Sequence, residues 1–105
     1  MFKELQEANV PQATSKSTTV SSATQSDYIF LEPGEWALMA TSTGWGSADL
    51  QVGDGSKFAN AQDGPGKDVT FSEDKTVIVA GGMCYRLNVT SYSQPITLSA
   101  FRSKN

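Results

Sequence analysis

Apolar and polar residues alternate along most of the chain after Tyr28. In the stretch GGMCYRLNVTSY, residues 81–92, every second residue from Met83 to Val89 is apolar, and the residues between them are small or polar. Successive side chains of a strand point to opposite faces, so this pattern predicts a half-buried strand that follows a glycine turn. The stretches EWALMATS, ADLQVG and ITLSAF alternate in the same way, and each predicts another strand.

Turn-forming residues separate these predicted strands. Pro-Gly at 33–34, Asp-Gly at 54–55 and Gly-Pro-Gly at 64–66 each favour a turn. Further strands are predicted at 69–71 and at 75–81, and the consecutive Val-Ile-Val of the second indicates a strand covered on both faces. With about seven to eight short strands, the pattern predicts an all-β fold, an antiparallel β-sandwich or jelly roll. A closed barrel is the next alternative.

The beginning of the chain has a different composition. MFKELQEANV could form one short helical turn, which Pro11 would end. The following stretch, QATSKSTTVSSATQS, is small and polar, with Val20 as its only larger apolar side chain. Such a segment buries too little apolar surface to offset its own ordering entropy. We therefore divide the chain into an arm over residues 1–26, extended or disordered when unbound, and a β-sandwich domain over residues 27–105.

This arm has two interpretations. In an isolated domain it would be a flexible leader. In an assembly it would become ordered on a neighbouring subunit, and STTVSSAT could add to a sheet there as an edge strand. In that case its apolar side chains would contact the partner, and these are Phe2, Leu5, Val10 and Val20.

Composition narrows the range of partners. The chain has 105 residues, enough for one domain, and its formal net charge is -3. This charge and the lack of any Lys or Arg run argue against a nucleic-acid partner, which needs a basic face. No apolar run approaches membrane-spanning length, and the N-terminus lacks the apolar stretch of a signal peptide. We therefore expect no membrane partner and a soluble protein made in a cytoplasm.

No set of catalytic residues can be assembled from the sequence. The chain has no histidine, which removes the commonest general base, the commonest transition-metal ligand and every Ser-His-Asp triad. The carboxylates are scattered, and none follows the spacing of a calcium loop, so solvated turn residues are the favoured interpretation. We expect no enzyme activity, no cofactor and no bound metal. Cys84 is the single cysteine, so it forms no intrachain disulfide and is interpreted as a small packing residue.

Three aromatic residues are candidates for contact with a partner or a sugar. Trp36 is in phase with Leu38, so we assign it to the core. Trp45 lies between two glycines in a predicted turn and is the better contact residue, and Tyr92, beyond the end of its strand, is the next. Ordinary packing of the loops is the alternative for both.

Taken together, the stretches GEWALMAT, ADLQVGDG, GGMCYRLNV and ITLSAFR resemble small capsid decoration, or cement, proteins of tailed bacteriophages. The resemblance covers the chain from Tyr28 to Arg102 and is a pattern of β-strands. It implies a β-sandwich bound to the outside of an icosahedral shell, often near three-fold positions, with an N-terminal arm that bridges capsomers. It implies no functional residues, because such proteins have no catalytic motif to match.

Two functional hypotheses follow. The first is a structural virion protein that binds the capsid exterior and stabilises it by bridging neighbouring major capsid subunits. Its partner would be the major capsid protein, and we expect a homo-oligomer on the shell, a trimer being favoured, after synthesis in the host cytoplasm. The alternative is a phage tail-fibre or receptor-binding β-module that recognises a host glycan. It would use Trp45, Tyr92 and loop carboxylates such as Asp54 and Asp63.

Overall fold

The structure is a computed structural model that describes residues 16–102. In this range the chain forms nine strands and no helix, so the predicted all-β class is confirmed. Accordingly, none of the described residues lies in a helix that is long and apolar enough to cross a membrane. The strands are β1 (Lys16–Val20), β2 (Ile29–Leu31), β3 (Glu35–Ser42), β4 (Ser47–Gly53), β5 (Phe58–Asn60), β6 (Thr70–Phe71), β7 (Lys75–Ala80), β8 (Met83–Ser91) and β9 (Ile96–Arg102).

The strands form two antiparallel sheets packed as a sandwich. The order in the first sheet is β1-β9-β3-β7, and in the second it is β2-β8-β4-β5, with the short β6 also paired to β4. Without β6, the eight remaining strands pair first with last and inward from both ends: β1 with β9, β2 with β8, β3 with β7 and β4 with β5. This is the strand arrangement of a jelly roll, which confirms the predicted fold class.

The first strand belongs to the sandwich and not to a separate arm. Strand β1 pairs with β9 from Lys16↔Ala100 to Val20↔Ile96. Ser26 is buried as well, and its hydroxyl accepts a hydrogen bond from the backbone N–H of Leu87 at 3.0 Å. The predicted boundary at residue 26 is therefore too late. A stretch too polar to fold alone still adds to an existing sheet edge, because β9 supplies its backbone hydrogen-bond partners.

The core lies between the sheets and follows the alternation of the sequence. Trp36 and Leu38 are both fully buried, as their common phase predicts. A fully buried side chain of this kind contributes about 1.5–3 kcal/mol relative to an exposed one. The buried cluster consists of Val20, Ile29, Leu31, Trp36, Leu38, Ala40, Ala48, Leu50, Phe71, Tyr85, Leu87, Val89, Ile96, Leu98 and Ala100.

The predicted turn signals connect strands. Pro-Gly at 33–34 joins β2 to β3, Asp-Gly at 54–55 lies in the β4–β5 hairpin, and Gly-Pro-Gly at 64–66 lies between β5 and β6. The two glycines before Met83 lie between β7 and β8, where a glycine turn was predicted, and they carry the chain from the first sheet to the second. Gly82 has a φ of 86°, in the region that favours glycine.

One strand differs from its prediction. We expected residues 75–81 to be covered on both faces, and this is wrong for the outer face. Val77 and Val79 of β7 point inward and are half-buried, whereas Ile78 between them is 59% exposed. The reason is that the described residues form only two sheets, so no further layer among them covers the first sheet from outside.

Candidate functional site

The residues singled out from the sequence lie in different environments. Trp45 is half-buried against the core, and its indole Nε1 donates a hydrogen bond to Asp74 Oδ1 at 2.8 Å. Its position therefore matches the alternative of ordinary loop packing. Tyr92, just after β8, is 37% exposed. Val20 is buried within its own domain, which leaves its side chain no surface for a partner. Three further candidates lie outside the described residues, and these are Phe2, Leu5 and Val10.

Asp54, suggested for glycan contact, orders its own turn. Its Oδ1 accepts hydrogen bonds from the backbone N–H groups of Ser56 and Lys57, both at 2.8 Å. These two donors favour the charged carboxylate and lower the pKa of Asp54. The Asp54 carboxylate therefore stabilises the turn of the β4–β5 hairpin.

Acidification is expected to weaken this hairpin. Because the folded pKa of Asp54 lies below its ordinary value of 3.8, the charge stabilises the fold above pH 3.8 and ceases to do so as the pH falls through the folded pKa. We expect Asp54→Asn to lower the free energy of unfolding at about pH 6, and this difference from wild type to shrink below about pH 3.8. Urea unfolding at a series of pH values measures it. A difference that stays constant into the acid range would contradict this role.

The outer face of the first sheet is composed of hydroxyl and apolar side chains, and we call it the hydroxyl–apolar face. Its positions follow from the register of the strands, because they alternate with the buried ones. Among these outward positions the one charged residue is Glu35, at the start of β3. The face consists of Ser17, Thr19, Glu35, Ala37, Met39, Thr41, Thr76, Ile78, Ala80, Thr97, Ser99 and Phe101.

Two large apolar side chains stand on this face. Ala37 of β3 pairs with Ile78 on one side and with Phe101 on the other. Ile78 is 59% exposed and Phe101 is 42% exposed, so the small alanine lies between two exposed apolar groups. Charge depletion combined with exposed aromatic and aliphatic side chains is typical of the centre of a protein–protein interface.

The start of β1 closes one edge of the sandwich. The ammonium group of Lys16 donates hydrogen bonds to the backbone oxygen of Phe30 and, at 3.2 Å, to both carboxylate oxygens of Glu32. The pKa of Glu32 is lowered by a backbone hydrogen bond first and by Lys16 second. Lys16 is the first described residue, and its partner on β9, Ala100, directly precedes Phe101 of the hydroxyl–apolar face.

The outer face of the second sheet has a different character. Three side chains meet there, from the stretch before β2, from β5 and from β8: Tyr28, Phe58 and Arg86. The rings of Tyr28 and Phe58 have centroids 5.8 Å apart and planes inclined by 40°. The guanidinium carbon of Arg86 lies 4.0 Å from the centroid of Phe58, a cation–π arrangement. We call these three residues the aromatic–arginine platform.

A line of polar side chains extends from this platform across the sheet. Arg86 Nε donates to Gln51 Oε1 at 2.8 Å, and Gln51 Nε2 donates to Asn60 Oδ1 at 3.0 Å. Asn60 Nδ2 in turn donates to Asp68 Oδ2 at 3.0 Å, and Gln62 Nε2 donates to the other oxygen of Asp68 at 3.1 Å. This amide ladder fixes the side chains in one arrangement, because each amide is held by its neighbour.

The sandwich is open at the edge opposite β1. A cleft of about 700 Å³ lies between β7 and the segment that contains β5 and β6. Apolar residues such as Val52, Val69 and Val79 line it, with Asp63 and Lys67 among its polar residues. In its wall the hydroxyl of Tyr85 donates to the backbone oxygen of Ala80 at 2.8 Å, and burial raises the pKa of this phenol.

Among residues 16–102 no group of three or more His, Cys, Asp or Glu side chains is placed to hold a metal ion. No protein-family model matches the chain, and no curated protein matches it.

The platform was not anticipated from the sequence. Phe58 and Arg86 are 28 positions apart (86 minus 58), and only the register of β4 with both β5 and β8 brings them together. The available signal was the alternation itself, which places Gln51 and Arg86 on the polar faces of their strands. It gives no information about which strands are neighbours.

Proposed function

We propose that the protein is a structural virion protein that binds the outside of an icosahedral phage capsid and bridges neighbouring major capsid subunits. The observation that supports this most directly is the hydroxyl–apolar face, with Ile78 and Phe101 exposed on a sheet face that is almost free of charge. The resemblance of the strand pattern to capsid decoration proteins supplies the identity of the partner.

The size of this face indicates how docking would work. Four strands spaced by about 4.8 Å, each with about seven residues at 3.3 Å, present roughly 400 Å². A stable interface buries about 800 Å² on each partner, so the face alone would be too small. A homo-oligomer, with a trimer favoured, would multiply the contact. The segment before Lys16, with Phe2, Leu5 and Val10, would add to it, because Lys16 pairs with Ala100, the residue directly before Phe101.

Quantitative mass spectrometry of purified particles from the source tests this proposal first. We expect a copy number comparable to that of the major shell protein, since a decoration protein occupies a repeated position on the lattice. A handful of copies would favour a tail or fibre position and the alternative of a receptor-binding module. Absence from the particle would overturn the virion proposal.

Substitution of an exposed phenylalanine on each sheet tests which of the two outer faces docks on the shell. We expect Phe101→Glu to weaken binding to undecorated shells at least about tenfold, because a charge would be desolvated in an apolar interface. Phe30→Glu is the matched control, since Phe30 is 45% exposed on the second sheet and Phe101 is 42% exposed on the first. Co-sedimentation with shells measures both variants. Equal loss of binding in both would contradict docking through the hydroxyl–apolar face.

A further inference from the structure

We infer that the aromatic–arginine platform is a binding site for a glycan that ends in one acidic sugar. The platform lies on the outer face of the second sheet, opposite the hydroxyl–apolar face of the first. The inference does not rest on the capsid proposal, because the platform can be tested on the free protein in solution.

The platform offers a surface on which a sugar ring can stack. Tyr28 is 49% exposed, and its ring is inclined by 40° to that of Phe58, so the pair forms a shallow apolar wall. One side of a pyranose ring is flat and consists of C–H groups, which gain by covering an aromatic face. The neighbouring residue Gly53 lets the backbone of the β4–β5 hairpin pack closely beside the platform, because a Cβ there would lie 2.0 Å from the backbone oxygen of Lys57.

The unused hydrogen-bonding capacity of the platform consists of donors. Arg86 uses its Nε for Gln51, whereas its two Nη groups make no hydrogen bond to any of residues 16–102. The hydroxyl of Tyr28 makes none within that range either and can donate. The amides of the ladder, by contrast, are held by one another. Two parallel N–H groups of a guanidinium match the two oxygens of a carboxylate.

The guanidinium is also held in place before any ligand arrives. Its carbon lies 4.0 Å from the centroid of the Phe58 ring, and its Nε donates to Gln51 Oε1 at 2.8 Å. A planar group held on two sides loses little freedom on binding, so more of the interaction energy appears as affinity.

The charges on this face favour a single acidic group in the ligand. Arg86 is the only cation among the outward side chains of β4, β5 and β8, whereas Asp49 on β4 and Asp68 beyond β5 are negative. A polyanion such as a nucleic acid or a polyuronate would meet repulsion along most of the face. One terminal carboxylate, on a sugar stacked against Tyr28, matches both the charge and the donors.

An array of paired oligosaccharides tests this inference on the full chain. Each pair would share one core and differ only at its end, with a sialate or uronate in one member and a neutral hexose in the other. We expect at least about tenfold tighter binding of the acidic members, because only they engage the guanidinium fork. No binding of any acidic member, or tighter binding of polyuronate or nucleic acid, would overturn the inference.

Three variants connect the binding to these residues. We expect Arg86→Lys, which keeps the charge without the fork, and Tyr28→Ala, which removes the stacking ring, each to lose about tenfold in affinity. Lys67→Ala removes one positive charge from the cleft and should bind as wild type does. Thermal unfolding of all three shows whether they are folded, and Tyr28 is exposed enough for its variant to be folded. Unchanged affinity in both platform variants would refute the assignment.

Discussion

Gly81→Ala is expected to abolish folding or to reduce the free energy of unfolding by more than about 4 kcal/mol. A Cβ at this position would lie 1.9 Å from the backbone oxygen of Glu32 and 2.9 Å from the indole nitrogen of Trp36. The first of these atoms belongs to the backbone and cannot rotate away. The loss is a large fraction of the roughly 5–15 kcal/mol that holds a domain together. Yield of folded protein and urea unfolding measure it.

The neighbouring glycine provides the control. Gly82 has a φ of 86°, but a Cβ there would have no atom within 4 Å. Gly82→Ala should therefore cost only the conformational strain of about 1–2 kcal/mol. If the two variants were equally destabilised, backbone strain in the turn would explain both, and the close approach of Gly81 to Glu32 would not be the cause.

This glycine pair shows what the sequence could and could not predict. The pattern GGMCYRLNV predicted a glycine turn before a half-buried strand, and β8 begins at Met83 as expected. The sequence did not show why the first of these two positions must be glycine. Gly81 passes close to the β2–β3 connection and donates its N–H to the backbone oxygen of Gly34 at 2.6 Å. Local alternation reports which residues are buried and is silent on which distant turn lies against them.

Because alternation does not report neighbouring strands or layers, two predictions were wrong, one for Ile78 and one for the segment from Lys16 to Val20. Ile78 was expected to be covered because three consecutive β-branched residues usually indicate a strand with layers on both sides. Coverage of both faces needs a layer on each side of the sheet, and the described residues form only two sheets, so the outer face of β7 has no layer over it. The segment from Lys16 to Val20 was assigned to an arm because its composition is polar, although a strand added to the edge of β9 needs few apolar side chains of its own.

The candidate sites were also predictable from the sequence only in part. The sequence shows that the residues alternating with the buried positions of β1, β3, β7 and β9 carry little charge. These residues form one face, however, only because the strands lie in the order β1-β9-β3-β7. The platform likewise needs Tyr28, Phe58 and Arg86 from three separate stretches. In a jelly roll the outer faces of the two sheets point in opposite directions. The two proposed sites therefore lie on opposite faces of the molecule and do not compete for the same surface.

Trp36→Ala is expected to lower the free energy of unfolding by about 3–5 kcal/mol, the range for an aromatic side chain removed from a core. Trp36 is fully buried, and its indole Nε1 donates to the backbone oxygen of Glu32 at 2.8 Å. The guanidinium carbon of Arg102 lies 4.9 Å from its ring. Trp36 therefore connects the core to the β2–β3 turn, which Gly81 also approaches. Urea unfolding measures the loss in free energy of unfolding.

Two further substitutions separate packing from hydrogen bonding. Trp36→Phe keeps most of the ring and removes the donor, so it should cost only about 0.5–1.5 kcal/mol, the net contribution of a typical hydrogen bond. Trp45→Ala removes the other tryptophan, which is half-buried and bonded to the exposed Asp74, and it should cost less than Trp36→Ala. An equal cost for alanine at both positions would mean that Trp36 does not organise the core. An equal cost for Trp36→Phe and Trp36→Ala would assign its contribution to the hydrogen bond, because the packed ring would then add nothing measurable.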